Sequence, residues 1–203
     1  MVAMSTLAHL KFNDPAPDVQ LLSIDNQPVQ LSTHWAQQPL LLSFTRHFGC
    51  PQCKEMLDEL VQAQAQIAAR GLGMTVVMHA EPPAVKAFAA ERAPGLRCLA
   101  DPQRSAYHLY GLGRGTLPQT LLSPRVWRSN SRLLREKGYK TELPPPGQDA
   151  FQMSGIFIIG IDGRVRLPYY YDDIADHPPL DLLLNGVMGM DWSQPFDSPL
   201  IPS

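Results

Sequence analysis

Hydrophobic residues in this chain fall into short runs that alternate between the periodicities of strands and helices. The continuous apolar run PLLLSFT, at positions 39–45, is typical of a strand buried on both faces. Apolar residues then recur on one helical face between Pro51, which suits a first helical position, and Gly71, which suits a helix stop. The pattern predicts a buried strand followed directly by a long helix.

The same alternation continues along the chain and defines the rest of the expected sheet. Residues 73–80 and 96–100 are predicted strands, and residues 83–93 and 102–112 are the helices predicted to follow them. Strands and helices in this rhythm imply parallel strands covered by helices on both faces.

Hairpin signals flank this α/β segment. Residues 19–31 contain two short strand patterns around a turn, and residues 155–171 contain two apolar runs joined at Asp162 and Gly163. Residues 178–186 then predict a closing helix, and residues 190–203 are expected to be irregular. The whole pattern predicts an α/β fold with a central mixed sheet and a terminal antiparallel hairpin.

Acidic residues and a histidine follow the second hairpin, in the sequence YYYDDIADHPP. Such a cluster invites interpretation as a metal site, but Asp and Pro are also the residues that turns prefer. We expect a solvated turn here, containing Asp172, Asp173, Asp176 and His177.

The stretch 112–151 interrupts the pattern and is rich in Gly, Pro, Ser and Arg. It is too long for a simple connection, so it is either a lid-like insertion or a mobile excursion. Trp127 and several arginines make it locally basic. We interpret it as a solvated, loosely packed loop, with a lid over an anionic substrate as the alternative.

Composition limits the class of protein. The chain has 203 residues, of which 44% are apolar, and this suits one globular domain over positions 1–203. The net charge is −2, and Lys and Arg do not cluster into blocks. Both features argue against a nucleic-acid partner and against a membrane partner. The start of the chain lacks the pattern of a secretory signal, so we expect a cytoplasmic protein.

The candidate chemistry lies in Cys50 and Cys53, where the buried strand gives way to the long helix. A helix N-terminus favours a thiolate, the nucleophilic form of cysteine, and positions i and i+3 lie roughly 5–6 Å apart, within reach of a disulfide. We therefore assign nucleophilic attack to Cys50 and resolution to Cys53, and the sequence leaves open which of the two attacks first.

Two other interpretations of this cysteine pair stay open, a metal site and inert packing. A zinc site needs two further ligands, for which His47 and His79 are the candidates, and no second CxxC exists. The third cysteine, Cys98, is predicted to be a buried strand residue.

Several segments resemble a known family. The stretch APDVQLLSIDNQPVQLSTHWAQQPLLLSFTRHFGCPQCKE resembles the opening of the AhpC/TSA peroxiredoxins of the thioredoxin-fold superfamily. Together, FTRHFGCPQCKE, LADPQRSAYHLYGLGRG and FQMSGIFIIGIDGRVRLPYYYDDIADHPP resemble its peroxiredoxin-like 2 branch, over roughly residues 12–187. The resemblance implies a thioredoxin-like fold with a long insertion before the terminal hairpin.

The chain departs from the family pattern at two places. Typical peroxiredoxins carry PxxxTxxC, but counting back from Cys50 the Thr place holds His47 and the Pro place holds Ser43. Thioredoxins carry a cis-proline before the strand that faces the CxxC, where this chain has Gln152 and Ser154 flanking a methionine.

Other candidate site residues follow from these placements. Thr45 and Arg46 come at the end of the buried strand, and Arg46 is the predicted partner of a thiolate or an anion, with His47 adding to that stabilisation. The resemblance implies that Gln152 and Ser154 approach the site from the next strand. The alternative role of Arg46 is a surface ion pair. The alternative role of Gln152 and Ser154 is hydrogen bonding to main-chain groups at the start of a strand.

The resemblance implies a thiol-dependent antioxidant peroxidase that reduces hydroperoxides through the CxxC pair, with a thioredoxin-like electron donor and no organic cofactor or metal. The first alternative is a reductase of protein disulfides or lipid endoperoxides. The second, from another class, is a non-catalytic thioredoxin-like binding module. The oligomeric state is left open by the sequence.

Overall fold

A computed structural model describes residues 8–186 and Trp192 of the chain. The strands are β1 (Gln20–Ser23), β2 (Pro28–Gln30), β3 (Leu40–Phe44), β4 (Gly73–Met78), β5 (Arg97–Ala100), β6 (Gly155–Ile159) and β7 (Val165–Tyr170). The helices are α1 (Pro51–Ala69), α2 (Pro82–Arg92), α3 (Ser105–Leu109), α4 (Pro124–Lys137) and α5 (Leu180–Asn185). The segment 190–203 lies outside the described residues apart from Trp192.

The seven strands form one mixed sheet in the order β2-β1-β5-β4-β3-β6-β7. The central strands β3, β4 and β5 are parallel, as the strand and helix rhythm predicts. The terminal hairpin β6–β7 adds antiparallel to β3, with Phe44 opposite Gly155. This register brings the residues that follow β3 next to those that precede β6, although more than a hundred residues separate them in sequence.

Two hydrophobic cores lie on the two faces of the sheet, and β3 contributes to both. Leu41 packs with α1, α2 and α5 on one face, whereas Leu40, Leu42 and Phe44 pack with α3 on the other. Successive strand residues point to opposite faces, so an unbroken apolar run is what this central position requires. The helices cover both faces, as predicted.

Helix α1 begins where the sequence pattern places it. Cys50 is its N-cap in an extended conformation, and Pro51 occupies the first helical position, where its missing N–H leaves no bond unmade. Both predicted hairpins are also confirmed, although α3 is shorter than the helix predicted over 102–112.

The interpretation of residues 112–151 as a loosely packed loop is wrong for its central part. Residues 124–137 form helix α4, which packs against α1 through the buried side chains of Val126 and Leu133. Ser123 caps the helix by accepting a hydrogen bond from the Arg125 N–H, and Gly138 ends it with a positive φ of 69°. The cap, the first-turn proline and the terminal glycine were signals present in the sequence. The prediction of one domain over 1–203 stays a prediction.

The expectation of a solvated turn after β7 is wrong for Asp173 and Asp176, whereas Asp172 is exposed as expected. Asp173 and Asp176 are buried, because their carboxylates accept hydrogen bonds from nearby main-chain N–H groups and from α4 and its N-cap. Arg125 of α4 pairs with Asp176 at 2.7 Å. The turn is therefore a docking point for the insertion. Among the described residues no helix is both long and apolar enough to cross a bilayer.

Candidate active site

Cys50 and Cys53 lie at the carboxyl end of β3, in the first turn of α1. Both side chains are buried, with 1% and 4% of their surface exposed, and both are free thiols. The amide N–H of Lys54 donates to the Cys50 carbonyl, which closes the first helical turn. In a parallel sheet this end of the strands is where ligands and chemistry gather.

Arg46 joins the sulfur atoms to the strand that precedes them. Its side-chain Nη1 donates to the Cys50 sulfur at 3.3 Å, and its main-chain N–H donates to the Cys53 sulfur at 3.3 Å. The same guanidinium donates through Nε to the Gln152 carbonyl at 2.9 Å and through Nη2 to the Ala150 carbonyl. A buried fork of donors thus holds one sulfur and two carbonyls in fixed positions.

The two thiols have pKa values shifted in opposite directions. Burial raises the pKa of Cys50, but a hydrogen bond from Cys53 and the positive charge of Arg46 outweigh it and lower the pKa from 9.0 to about 6. Burial, and then the neighbouring Cys50 sulfur, raises the pKa of Cys53 well above its usual value. Cys50 is thus the thiol of the pair that ionises first, and Cys53 stays protonated and donates to it.

Thr45 and His47 flank Arg46, and neither side chain makes any of the hydrogen bonds recorded at the two sulfurs. The Thr45 hydroxyl donates to the Arg46 carbonyl at 3.2 Å. His47 is buried, its Nδ1 has no partner among the described residues, and burial, followed by the Arg46 charge, lowers its pKa to about 4. A neutral imidazole adds no positive charge to stabilise a thiolate, which argues against the role predicted for His47.

Gln152 and Ser154 reach the site from the strand β6 side, as the register implies. The carbonyl of Gln152 accepts from Arg46, whereas its side-chain amide donates to the carbonyls of Leu112 and Gly113 at 3.0 and 3.2 Å. This bonding matches the alternative role of a strand-entry residue. Ser154 is buried just before β6 and makes none of the hydrogen bonds recorded at either sulfur.

Residues 142–150 of the insertion, which we call the strap, lie across the loop that carries Cys50. The Glu142 amide donates to the Gly49 carbonyl at 3.1 Å, and the Glu142 carboxylate pairs with Lys54 at 2.8 Å. Gln148 accepts the Phe48 N–H through Oε1 at 2.8 Å. A Cβ at Gly49 would lie 2.5 Å from the Glu142 carbonyl oxygen, so only glycine permits this close approach.

The far end of the strap is fixed by charge. Asp149 pairs with Arg104 and Arg114, each at 2.8 Å, and its main-chain N–H donates to His79 Nε2 at 3.1 Å. His79, proposed above as a possible metal ligand, therefore accepts a hydrogen bond from the main chain of the strap. The groups of His, Cys, Asp and Glu within the described ranges include none that could hold a metal ion.

Helix α4 supplies contacts that the sequence patterns did not reveal. Gln52 lies between the two cysteines in the sequence, and its side chain is fully buried. Its Nε2 donates to Asn130 Oδ1 at 2.6 Å, and its Oε1 accepts from the Cys50 thiol at 3.5 Å. One turn further, Glu55 receives a bidentate bond from Arg132 at 2.8 and 2.7 Å. No motif marks Asn130, because its role depends on where α4 docks.

Cys98 is separate from this site, in agreement with its prediction as a buried strand residue. It lies in β5, and burial raises its pKa to about 12. A thiol with so high a pKa is protonated near neutral pH and is therefore a poor nucleophile.

Comparison with known proteins assigns the family. The model of the AhpC/TSA family matches residues 12–167. Peroxiredoxin-like 2C of Bos taurus is 24% identical over 189 residues, which cover 87% of this chain and 80% of that protein. Prostamide/prostaglandin F synthase of Salmo salar is 24% identical over 162 residues, covering 79% of this chain and 80% of its own.

Solved structures agree on the fold. The crystal structure of a peroxiredoxin-like protein from Aquifex aeolicus superposes with a TM-score of 0.62 at 18% identity, covering 89% of this chain and 87% of that one. This likeness confirms the thioredoxin-like fold predicted from the sequence. With most of the chain matched by the family model, the protein belongs to the AhpC/TSA family and is a peroxiredoxin-like thiol oxidoreductase.

Proposed function

We propose that the protein is a thiol peroxidase that reduces hydroperoxides through a disulfide between Cys50 and Cys53. The proposal is carried by two neighbouring thiols at one helix N-terminus whose surroundings shift their pKa values in opposite directions. Arg46 and Cys53 both direct donors at the Cys50 sulfur, so this sulfur bears the negative charge needed for attack.

The reaction takes place in two steps. The Cys50 thiolate attacks the distal oxygen of the peroxide, the O–O bond breaks, and the leaving alkoxide takes a proton, so that Cys50 becomes a sulfenic acid and the peroxide becomes an alcohol. The Cys53 sulfur then attacks the Cys50 sulfur, the S–O bond breaks, and water leaves as the disulfide forms. Protonated Cys53 supplies one of the protons, and Arg46 stabilises the developing negative charge on the oxygen.

Burial of the dithiol favours a small substrate. With Cys50 only 1% exposed and the strap bonded over Gly49, a protein disulfide has no direct approach to the sulfur. A hydroperoxide presents two oxygen atoms at its reactive end and needs far less room. A peroxidase therefore needs the strap to move only when the donor reduces the disulfide, whereas a protein-disulfide reductase needs it to move for the substrate as well, and this contrast ranks the peroxidase first.

A lipid endoperoxide remains the second candidate. One curated relative bears the name prostamide/prostaglandin F synthase, and that name supports a lipid-derived peroxide as substrate for the same dithiol. An O–O bond is cleaved in both cases, but both oxygens of an endoperoxide carry carbon, so Cys50 becomes a sulfenate ester while the second oxygen leaves as an alkoxide and takes a proton. Attack by Cys53 then breaks the S–O bond and releases the first oxygen as an alcohol, so the two candidates differ in whether the oxygen transferred to sulfur bears hydrogen or carbon.

The disulfide must be returned to two thiols by an external reductant. We propose a thioredoxin-like dithiol as the electron donor, which attacks one sulfur of the pair through a mixed disulfide. Because a donor protein is much larger than a peroxide, the strap must move aside at this step.

A peroxide titration tests the proposal. The reduced protein and its Cys50→Ser and Cys53→Ser variants are treated with stoichiometric hydrogen peroxide and analysed by intact mass with a sulfenic-acid trap. We expect the wild type to lose two hydrogens and only the Cys53→Ser variant to accumulate a trapped sulfenate. A Cys98→Ser variant is the matched control and should behave as wild type. If no protein reacts below a large excess of peroxide, the peroxidase proposal fails.

A further inference from the structure

Gln52 is the buried polar residue that connects the dithiol to helix α4. Its side chain reaches the Cys50 sulfur at one end and Asn130 and Ser129 at the other, at 2.6 Å and 3.4 Å. It is fully buried, so water does not compete for these bonds. One side chain therefore connects the reacting sulfur to the insertion by hydrogen bonds.

The bonding direction in the structure suits a protonated Cys50. The thiol donates to Gln52 Oε1, while Gln52 Nε2 donates to Asn130 and Ser129. A thiolate has no proton to donate, so the same amide orientation would place two electron-rich atoms, the oxygen and the sulfur, against each other. The amide orientation that serves a thiol is therefore the wrong one for a thiolate.

Every group in this chain of bonds can reverse its direction without moving its position. The carboxamides of Gln52 and Asn130 each offer a donor and an acceptor at similar places, and the Ser129 hydroxyl donates or accepts by rotation. If both amides turn over, Gln52 Nε2 faces the sulfur and its Oε1 accepts from Asn130 Nδ2 and Ser129 Oγ. A carboxylate at either amide position could not make this reversal, because it only accepts.

We propose that Gln52 and Asn130 form a reversible hydrogen-bond relay in which both amides turn over when Cys50 loses its proton, so that Gln52 donates to the thiolate. Gln52 contacts the reacting sulfur, and Asn130 of the insertion is a positioning residue that acts through it. The inference rests on the proposed role of Cys50 as a thiolate nucleophile and adds to it a function for α4.

Other groups near the sulfur do not substitute for the relay. Arg46 from the segment after β3 and Cys53 from α1 also act on Cys50, and both donate to its sulfur rather than accept from it. On the α4 side, the guanidinium of Arg132 is engaged by Glu55. Of the hydrogen bonds recorded at the Cys50 sulfur, the one with Gln52 is the bond whose donor and acceptor exchange when Cys50 ionises.

A double-mutant experiment tests the relay. In a Cys53→Ser background, whose hydroxyl still donates to Cys50, the thiolate is titrated by its ultraviolet absorbance. Asn130→Asp accepts from Gln52 only, which fixes Oε1 against the sulfur, and we expect the pKa of Cys50 to rise by about one unit, the size of one hydrogen bond to a charged group. With Gln52→Met added, Asn130→Asp should raise it by less than about a third of that amount.

The matched control is Ser131→Asp, which adds the same charge on the exposed side of α4 and should leave the titration unchanged. A shift from Asn130→Asp that persists undiminished with Gln52→Met would mean that charge acts through space, and the relay would be refuted. If Asn130→Asp does not fold, Gln52→Met alone decides, since an unchanged pKa of Cys50 would equally overturn the inference.

The reversal of the two amides has a direct signature in nuclear magnetic resonance. In the Cys53→Ser protein, the side-chain amide resonances of Gln52 and Asn130 should titrate together with Cys50. A titration of Gln52 alone, which the nearby charge produces without any reversal of the amides, would count against the relay. None of these measurements uses peroxide, so a working relay in a protein that does not reduce peroxide would refute the proposed function alone.

Discussion

Removing the Arg46 guanidinium is the most informative perturbation of the site, because this group touches the Cys50 sulfur and the strap at once. We consider Arg46→Met, which keeps a flexible side chain of similar length but no donors. Arg114→Met is the control, since Arg114 also binds the strap through Asp149 but contacts neither sulfur.

The magnitude follows from the bond that is lost. A hydrogen bond from a charged donor contributes about 1.5–3 kcal/mol, which corresponds to about 1–2 pKa units. The pKa of Cys50 should then rise from about 6 to about 7–8. At pH 7 the thiolate fraction falls from about 90% to between about 50% and 10%, so the change in ionisation alone slows the reaction with peroxide about 2- to 9-fold. The loss of charge stabilisation at the peroxide oxygen adds a slowing that is the same at every pH.

The assay is single-turnover disulfide formation with hydrogen peroxide, measured at pH 7 and at pH 9. Near pH 9 both proteins are at least about 90% ionised, so the rate difference that comes from ionisation should nearly vanish. The Arg114→Met control should match the wild type at both pH values. A rate loss of equal size at pH 7 and pH 9 would refute the argument that Arg46 acts through the ionisation of Cys50.

Three further predictions concern the strap, the docking of α4 and the buried imidazoles. Gly49→Ala should force the strap away from the site and speed alkylation of Cys50 by a bulky maleimide more than by iodoacetamide; equal acceleration of both reagents would contradict this. Arg132→Ala leaves the buried Glu55 carboxylate without its bidentate partner and should lower the free energy of unfolding, measured in urea, by about 2 kcal/mol. As the control, Arg128→Ala at an exposed position should change this free energy by less than about 0.5 kcal/mol. Because the folded pKa of His79 lies near 4, below its unfolded value of 6.5, protonation favours the unfolded state. The stability of the wild type relative to His79→Gln should therefore fall by up to about 3 kcal/mol between pH 6.5 and pH 4. An unchanged difference would show that His79 is not buried in its neutral form.

Local patterns in the sequence predict most of the secondary structure, because each element carries its own signals. The apolar run of β3 requires a strand with two covered faces, and the proline after Cys50 fixes the start of α1. Helix α4 carried such signals too, in Ser123, Pro124 and Gly138, but its arginine-rich surface obscured the two apolar residues that dock it. A helix that buries only one narrow stripe gives a weak periodic signal.

Burial of charged residues was not predictable in the same way. The carboxylates of Asp173 and Asp176 are buried because the cap of α4 and Arg125 bring donors to them, and these donors come from some fifty residues earlier in the chain. Turn formers have the same sequence pattern whether they face water or a partner. Only the packing of the insertion against the turn decides which of the two occurs.

The chemistry of the site divides along the same line. The sequence by itself determined that two thiols share the first turn of a helix after a buried strand, since spacing and element type are local properties. Only the tertiary structure decided which thiol is ionised, because the charge of Arg46, the burial under the strap and the contact of Gln52 with α4 arise from segments distant in sequence. A pKa depends on all neighbours of a group in space, and the fold alone brings those neighbours together.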